Sequence, residues 1–332
     1  MTITQRDVAR VAERLRGQVV ETPLLSNAEF DQLMKRPIFV KAENMQRGGS
    51  FKFRGALHAL SVLSAEQRRR GVIGASSGNH GLALALAGRQ QRVPVTVVLP
   101  KDAPEAKRRA IEHHGARILA YDRREGTRDI IVAEEARLRK LAVIPSAEHP
   151  SVIAGAGTVA LEMLRRQRDL RTIVVPVGGG GLAAGTALAV PPHVQVIGVE
   201  PATADDTRRS VRCGHRVQID APVTIADGLG HTRPPELTFK INQLRLNDVI
   251  VASEQSIADS MAYLWRHYGL KAEPSGAVAL AGLLTHTSRM PLDGAIGVVV
   301  SGGNVDWAVY ETLLRPALVR TDPYPKPVSA VR

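Results

Sequence analysis

Thr172-Ile-Val-Val-Pro-Val-Gly-Gly-Gly-Gly-Leu-Ala-Ala184 joins an apolar, β-branched run to a helical pattern through four consecutive glycines. Flexible linkers do not usually connect a buried strand straight to a helix, so the glycines need another purpose. Without Cβ atoms, their backbone N–H groups can close on an anion. The helix that follows adds the positive end of its dipole, so a phosphate is the expected guest.

Two more loops of this kind lie on either side. Ser76-Ser-Gly-Asn-His-Gly81 follows a strand predicted at Val72–Ala75, and Ser301-Gly-Gly-Asn304 follows one at Ile296–Val300. Further strands are predicted at Val95–Leu99, Arg117–Ala120, Thr172–Val177, Val194–Val199 and Val249–Ala252, with amphipathic stretches between them. This alternation marks an α/β protein with parallel sheets, in which ligands sit at the carboxyl ends of strands. Asp102-Ala-Pro-Glu105 and Ser64-Ala-Glu-Gln67 read as capping boxes, and Gly115 ends the first of these helices. Thr127 is expected to cap a helix reaching Lys140, and Ser256 one that stops before Gly269. The stretch Pro145–Pro150 is the best linker candidate, and residues 321–332 are a proline-rich tail.

The 332 residues can bury a sizeable core, and 44% hydrophobic with 23% charged residues is the balance of a globular protein. The formal charge of +12 invites a nucleic-acid reading, but the arginines are scattered over helical segments and aromatics make up only 4%. Stacking platforms for bases are scarce, so no nucleic-acid partner is expected, although the charge favours anionic ligands. Met1–Asp7 lacks the basic start and apolar run of a signal peptide, and no apolar stretch approaches the ~20 residues that cross a bilayer. Cys213, the single cysteine, stands in a polar stretch with no activating motif. A cytoplasmic protein without membrane contact is expected.

The glycine loop alone leaves the phosphate compound open. It loosely matches a dinucleotide fingerprint, and Glu200 lies about twenty residues on, where a ribose-binding acid would sit, so a nicotinamide oxidoreductase fits tolerably. Lys52 separates the readings. It stands in Gly48-Gly-Ser-Phe-Lys-Phe-Arg-Gly-Ala56, between two aromatics. Partly desolvated and beside Arg54, its amine would have a lowered pKa and could attack a carbonyl.

Taken together, Ser50–Ala56, Ser76–Gly81, Gly178–Gly181 and Ser301–Asn304 resemble the four signatures of fold-type II pyridoxal-phosphate enzymes, in order along the chain. The resemblance is greatest to the serine racemase and threonine/serine dehydratase branch and runs from Thr22 to Asp306. It implies a tryptophan synthase β-like fold: two three-layer α/β domains with the cofactor in the cleft between them. The large domain would comprise 1–70 and 149–320, the small one 71–148. It also implies a homodimer that dehydrates and deaminates L-threonine, L-serine or a related β-hydroxy amino acid to a 2-oxo acid and ammonia. Serine racemase is the alternative.

The roles implied are specific. Lys52 would carry pyridoxal 5'-phosphate and remove the Cα proton, Phe51 would pack on its ring, and Asn79 would bond its 3'-oxygen. Gly178, Gly179, Gly180, Gly181 and Leu182 would hold the phosphate. Ser301 would meet the pyridine nitrogen; a serine does not enforce a protonated ring, which favours prompt β-elimination over transamination. Ser76, Ser77, Asn79, His80 and Arg128 would bind the substrate. Ser77, facing the lysine across the ring, would equip the site for racemisation as well. Glu200, the Ala204 carbonyl and Asp206 would hold a divalent cation, and an oxygen-only set suits Mg2+, Mn2+ or Ca2+. Two segments depart from the family's pattern, Ile144-Pro-Ser-Ala-Glu-His149 and Gly155-Ala-Gly157. Both are expected near the substrate side and the hinge, and they leave the substrate preference and any nucleotide activation open.

Overall fold

The computed structural model describes residues 3–319 apart from 77, 104, 123–127 and 292. Among the described residues, ten strands form two sheets: β1 Leu24–Ser26, β2 Ile38–Ala42, β3 Val72–Ala75, β4 Val95–Pro100, β5 Arg117–Tyr121, β6 Ala142–Val143, β7 Leu170–Pro176, β8 Gln195–Pro201, β9 Asp248–Ala252 and β10 Ala295–Val300. The larger sheet runs β1-β2-β10-β7-β8-β9 and the smaller β5-β4-β3-β6. Only β1 is antiparallel to its neighbour.

The seven strands read from the sequence are all present. The three extra ones explain themselves. Strands β1 and β6 are too short to show a period, and in β2 the buried charge of Lys41 breaks the apolar run. Strand β2 matters most, because it lies parallel against β10 and delivers the chain, through two 3-10 turns, to Lys52.

The helix signals hold unevenly. Ser64 and Gln67 form the expected reciprocal cap. The helix expected from Asp102 is Glu105–His113, and Gly115 behind it takes a left-handed φ of +80°. Ser253, not Ser256, caps Glu254–Tyr268, because the apolar periodicity hides a polar first turn; Gly269 ends that helix at φ 62°. The helix Arg128–Arg139 forms, while Thr127 lies outside the described residues, as do 321–332.

Helices cover both faces of the larger sheet. One apolar cluster runs from Val97 and Leu99 of β4 through Leu84 and Ile153 to Ile173 and Val175 of β7, so both sheets share it. A second packs Val40, Val174, Ile197 and Val298 against Met261 and Leu280 on the opposite face. Three helices, Lys52–Ser61, Pro150–Arg166 and Gly181–Ala189, meet at glycines. A methyl on Gly155 would lie 2.7 Å from Gly55 Cα, and one on Gly157 2.5 Å from the Gly185 carbonyl. The Gly155-Ala-Gly157 departure is therefore a helix crossing. It lets the middle helix pack closely on both the lysine helix and the helix that opens at the glycine loop.

Candidate active site

The loops after β3, β7 and β10 and the turn after β2 converge at the carboxyl ends of their strands. Main-chain bonds weld two of them together. Ser50 bridges Gly302, the Phe51 amide donates to the Ser301 carbonyl at 3.1 Å, and the Gly303 amide donates to Gly49 at 2.9 Å. The orientation of Lys52 thus depends on the strand most distant from it in sequence.

Lys52 opens its helix, and its Nζ donates to the Ser146 carbonyl at 2.9 Å and lies 5.0 Å from the centre of the Phe51 ring. Burial pushes the amine down to about 8, with the negative charge of Glu273 opposing the change. Arg54 has no part in it, contrary to expectation. Its guanidinium turns away and is fully buried between two carboxylates, at 2.8 Å from Glu43 and 2.6 Å from Glu162. Lys41 completes this network at 2.6 Å from Glu162.

The glycine loop has the geometry of an anion cradle. The amides of Gly178, Gly179 and Gly180 donate to no acceptor among the described residues. Gly180 takes φ +76°, and a Cβ there would lie 2.5 Å from Asn242 Nδ2. A Cβ on Gly179 would meet Ala147 at 2.9 Å and the His231 ring at 3.1 Å. The glycines are therefore sterically required, and Ala147, which packs on them, follows the Ser146 whose carbonyl holds Lys52. Leu182 follows in the buried first turn of the helix.

Asn79 Nδ2 donates to Glu273 at 2.5 Å, while Asn79 Oδ1 accepts from Asn304 Nδ2 at 2.7 Å. Burial raises Glu273 to about 7, although the Asn79 bond opposes this. Ser301 is buried, with its Oγ donating to the Ser275 carbonyl at 3.4 Å. Ser76 Oγ accepts from the Gly78 amide at 3.2 Å. Ser77 lies outside the described residues. His80 Nε2 donates to the Ile144 carbonyl at 2.8 Å, and burial, then the Lys52 charge, holds its ring down at about 3. The other ring nitrogen is thus a buried acceptor without a partner.

Arg128 stands exposed on the first turn of its helix, 3.5 Å from Asp129. His231, which pattern reading passed over, belongs to the site. Burial, then the charges of Lys52 and Arg128, push its imidazole down to about 4. No motif surrounds it in the sequence. The departing segment Ile144–His149 is part of the site too: Ser146 holds Lys52, Ile144 holds His80, and Ala147 packs on the glycine loop.

Glu200 is not a ribose acid. It is fully buried, and its two oxygens accept the Thr207 and Arg208 amides at 2.9 and 2.8 Å, capping the helix Asp206–Cys213. Burial, then Asp206, raises it to about 8; burial raises Asp206 to about 7. Both Asp206 oxygens are buried without a donor. Among the described residues no group of three His, Cys, Asp or Glu side chains is placed to hold a metal. Two buried carboxylates beside the Ala204 main chain nevertheless fit a cation that takes a carbonyl as its third ligand.

A desolvated amine in a cleft with an amide cradle defines an enzyme that binds a phosphorylated carbonyl cofactor. The pyridoxal-phosphate dependent enzyme family model matches residues 15–302. The L-threo-3-hydroxyaspartate ammonia-lyase of Pseudomonas sp is 40% identical over 312 residues, covering 93% of this chain and 98% of that one. The serine racemase of Schizosaccharomyces pombe is 37% identical over 314 residues, covering 94% and 97%. The crystal structure of serine racemase from Dictyostelium discoideum superposes with a TM-score of 0.87 at 35% identity, covering 92% of this chain and 100% of the other. The chain belongs to the pyridoxal-phosphate dependent enzymes, in their ammonia-lyase and racemase branch. That membership displaces the nicotinamide reading.

Proposed function

We propose that the protein catalyses β-elimination of a β-hydroxy amino acid, releasing a 2-oxo acid and ammonia. L-Threonine, L-serine and 3-hydroxyaspartate are the candidate substrates, the last because a relative is named for it. The observation that carries the reading is the Lys52 amine held by Ser146, next to the Ala147 that packs on a glycine loop whose amides lack acceptors among the described residues.

Pyridoxal phosphate, when bound, supplies the electron sink that makes a Cα proton removable. Gly178 to Leu182 would hold its phosphate, Phe51 would pack on its ring, Asn79 would meet its 3'-oxygen and Ser301 its ring nitrogen. Lys52 would anchor it and move the Cα proton. Ser76 and the first-turn amides of Asn79 and His80 would take the substrate carboxylate, with Ser77 beside them. The His80 ring presents an acceptor, so its main chain rather than its imidazole suits an anion. The small and large domains proposed at 71–148 and 1–70 with 149–320 would place these groups on opposite walls.

A panel of β-hydroxy amino acids assayed for ammonia release tests the proposal. Ammonia and 2-oxo acid in equal amounts support it. D-Serine formed in place of pyruvate would replace elimination by racemisation. The cytoplasm and a homodimer are proposed as its setting. No helix among the described residues is long and apolar enough to cross a membrane.

A divalent cation is proposed at Glu200, Ala204 and Asp206. Mg2+, Mn2+ or Ca2+ at a hundredfold excess over its Kd should stabilise the fold by about 2.7 kcal/mol. Asp206→Asn should remove that response in thermal unfolding. An equal response in the variant would place the ion elsewhere.

A further inference from the structure

The residues around Lys52 include a polar side chain beyond those that a substrate with one carboxylate needs. In the reading above, the first turn of the helix Asn79–Gln91 would take the α-carboxylate and the glycine loop would take the phosphate. One further polar side chain remains near the amine, His231, and it is not used by the chemistry proposed above.

The His231 ring lies against the glycine loop, with Cε1 3.1 Å and Nε2 3.3 Å from the position of a Cβ on Gly179. Its backbone is pinned on both sides: its own amide donates to Leu229, and the next residue's carbonyl accepts from Ile219, each at 2.8 Å. The ring itself makes no hydrogen bond among the described residues, although the residue is half-buried. A fixed, unpartnered imidazole in a ligand cleft is poised for a ligand group.

Resting on the elimination reading, we infer that His231 receives the side-chain carboxylate of a dicarboxylic β-hydroxy amino acid and so determines specificity. Without ligand, the ring is neutral, because burial and two neighbouring cations disfavour its proton. An arriving carboxylate reverses that balance and favours the imidazolium, giving a charge-assisted bond. The methyl group of threonine offers no such compensation.

The test uses the holoenzyme and its His231→Asn variant, which keeps a polar group of similar reach. For each, kcat/KM is measured for L-threo-3-hydroxyaspartate and for L-threonine. The ratio of the two should fall at least about tenfold in the variant, roughly one charge-assisted bond. A ratio within about threefold of wild type would overturn the assignment. Calorimetry with succinate and butanoate, which do not react, gives an independent readout. Wild type should prefer succinate by about tenfold and the variant should lose that preference; no preference in wild type would also overturn it. A wild type that turns over no β-hydroxy amino acid sinks the elimination reading, and the succinate comparison then decides the carboxylate pocket alone.

Discussion

Replacing Lys52 with alanine lowers ammonia release by at least about a thousandfold, since the variant loses both the cofactor anchor and the group that moves the Cα proton. The amine is suited to these tasks because burial lowers it to about 8, near working pH, while Glu273 keeps it from falling further. The fold should survive the change. Lys52 is only half-buried, and among the described residues its side chain makes one hydrogen bond, to the Ser146 carbonyl. Steady-state kinetics together with the circular dichroism of the variant check this. A near-normal rate in a folded variant would remove Lys52 from the mechanism.

Arg54→Met destabilises the protein by about 3–5 kcal/mol, because among the described residues it leaves two buried carboxylates with Lys41 as their one cation. In wild type, burial pushes the Glu43 carboxyl up, but the charges of Arg54 and Lys41 outweigh it and hold it below its ordinary value. A carboxylate depressed in this way contributes stability above its ordinary pKa and loses it as pH falls through the lowered one. The variant should therefore lose its stability at neutral pH and show a shallower acid limb than wild type. Urea unfolding at several pH values measures both. A loss under about 1 kcal/mol at neutral pH would mean that the network relaxes around water.

The fold was legible because its central strands β4, β7 and β10 are buried along almost their whole length and read as unbroken apolar runs. Strand β2 was not, since Lys41 belongs to an ion network whose other members stand up to 121 residues away. Arg54 was misplaced for the same reason. Adjacency in sequence suggested a neighbour for Lys52, whereas the turn of the helix directed it to the other side. Within the site, Lys52 and the glycine loop were readable because their chemistry depends on local residue types. His231 was not, because a histidine acquires its role from the structure that closes around it, here the glycine loop at Gly179.

Borohydride reduction of the holoenzyme, followed by peptide mass mapping, tests the covalent attachment on which the whole reading depends. The pyridoxyl phosphate adduct should appear on the peptide bearing Lys52 and vanish in Lys52→Ala. An adduct on any other lysine, or none at all, would contradict it.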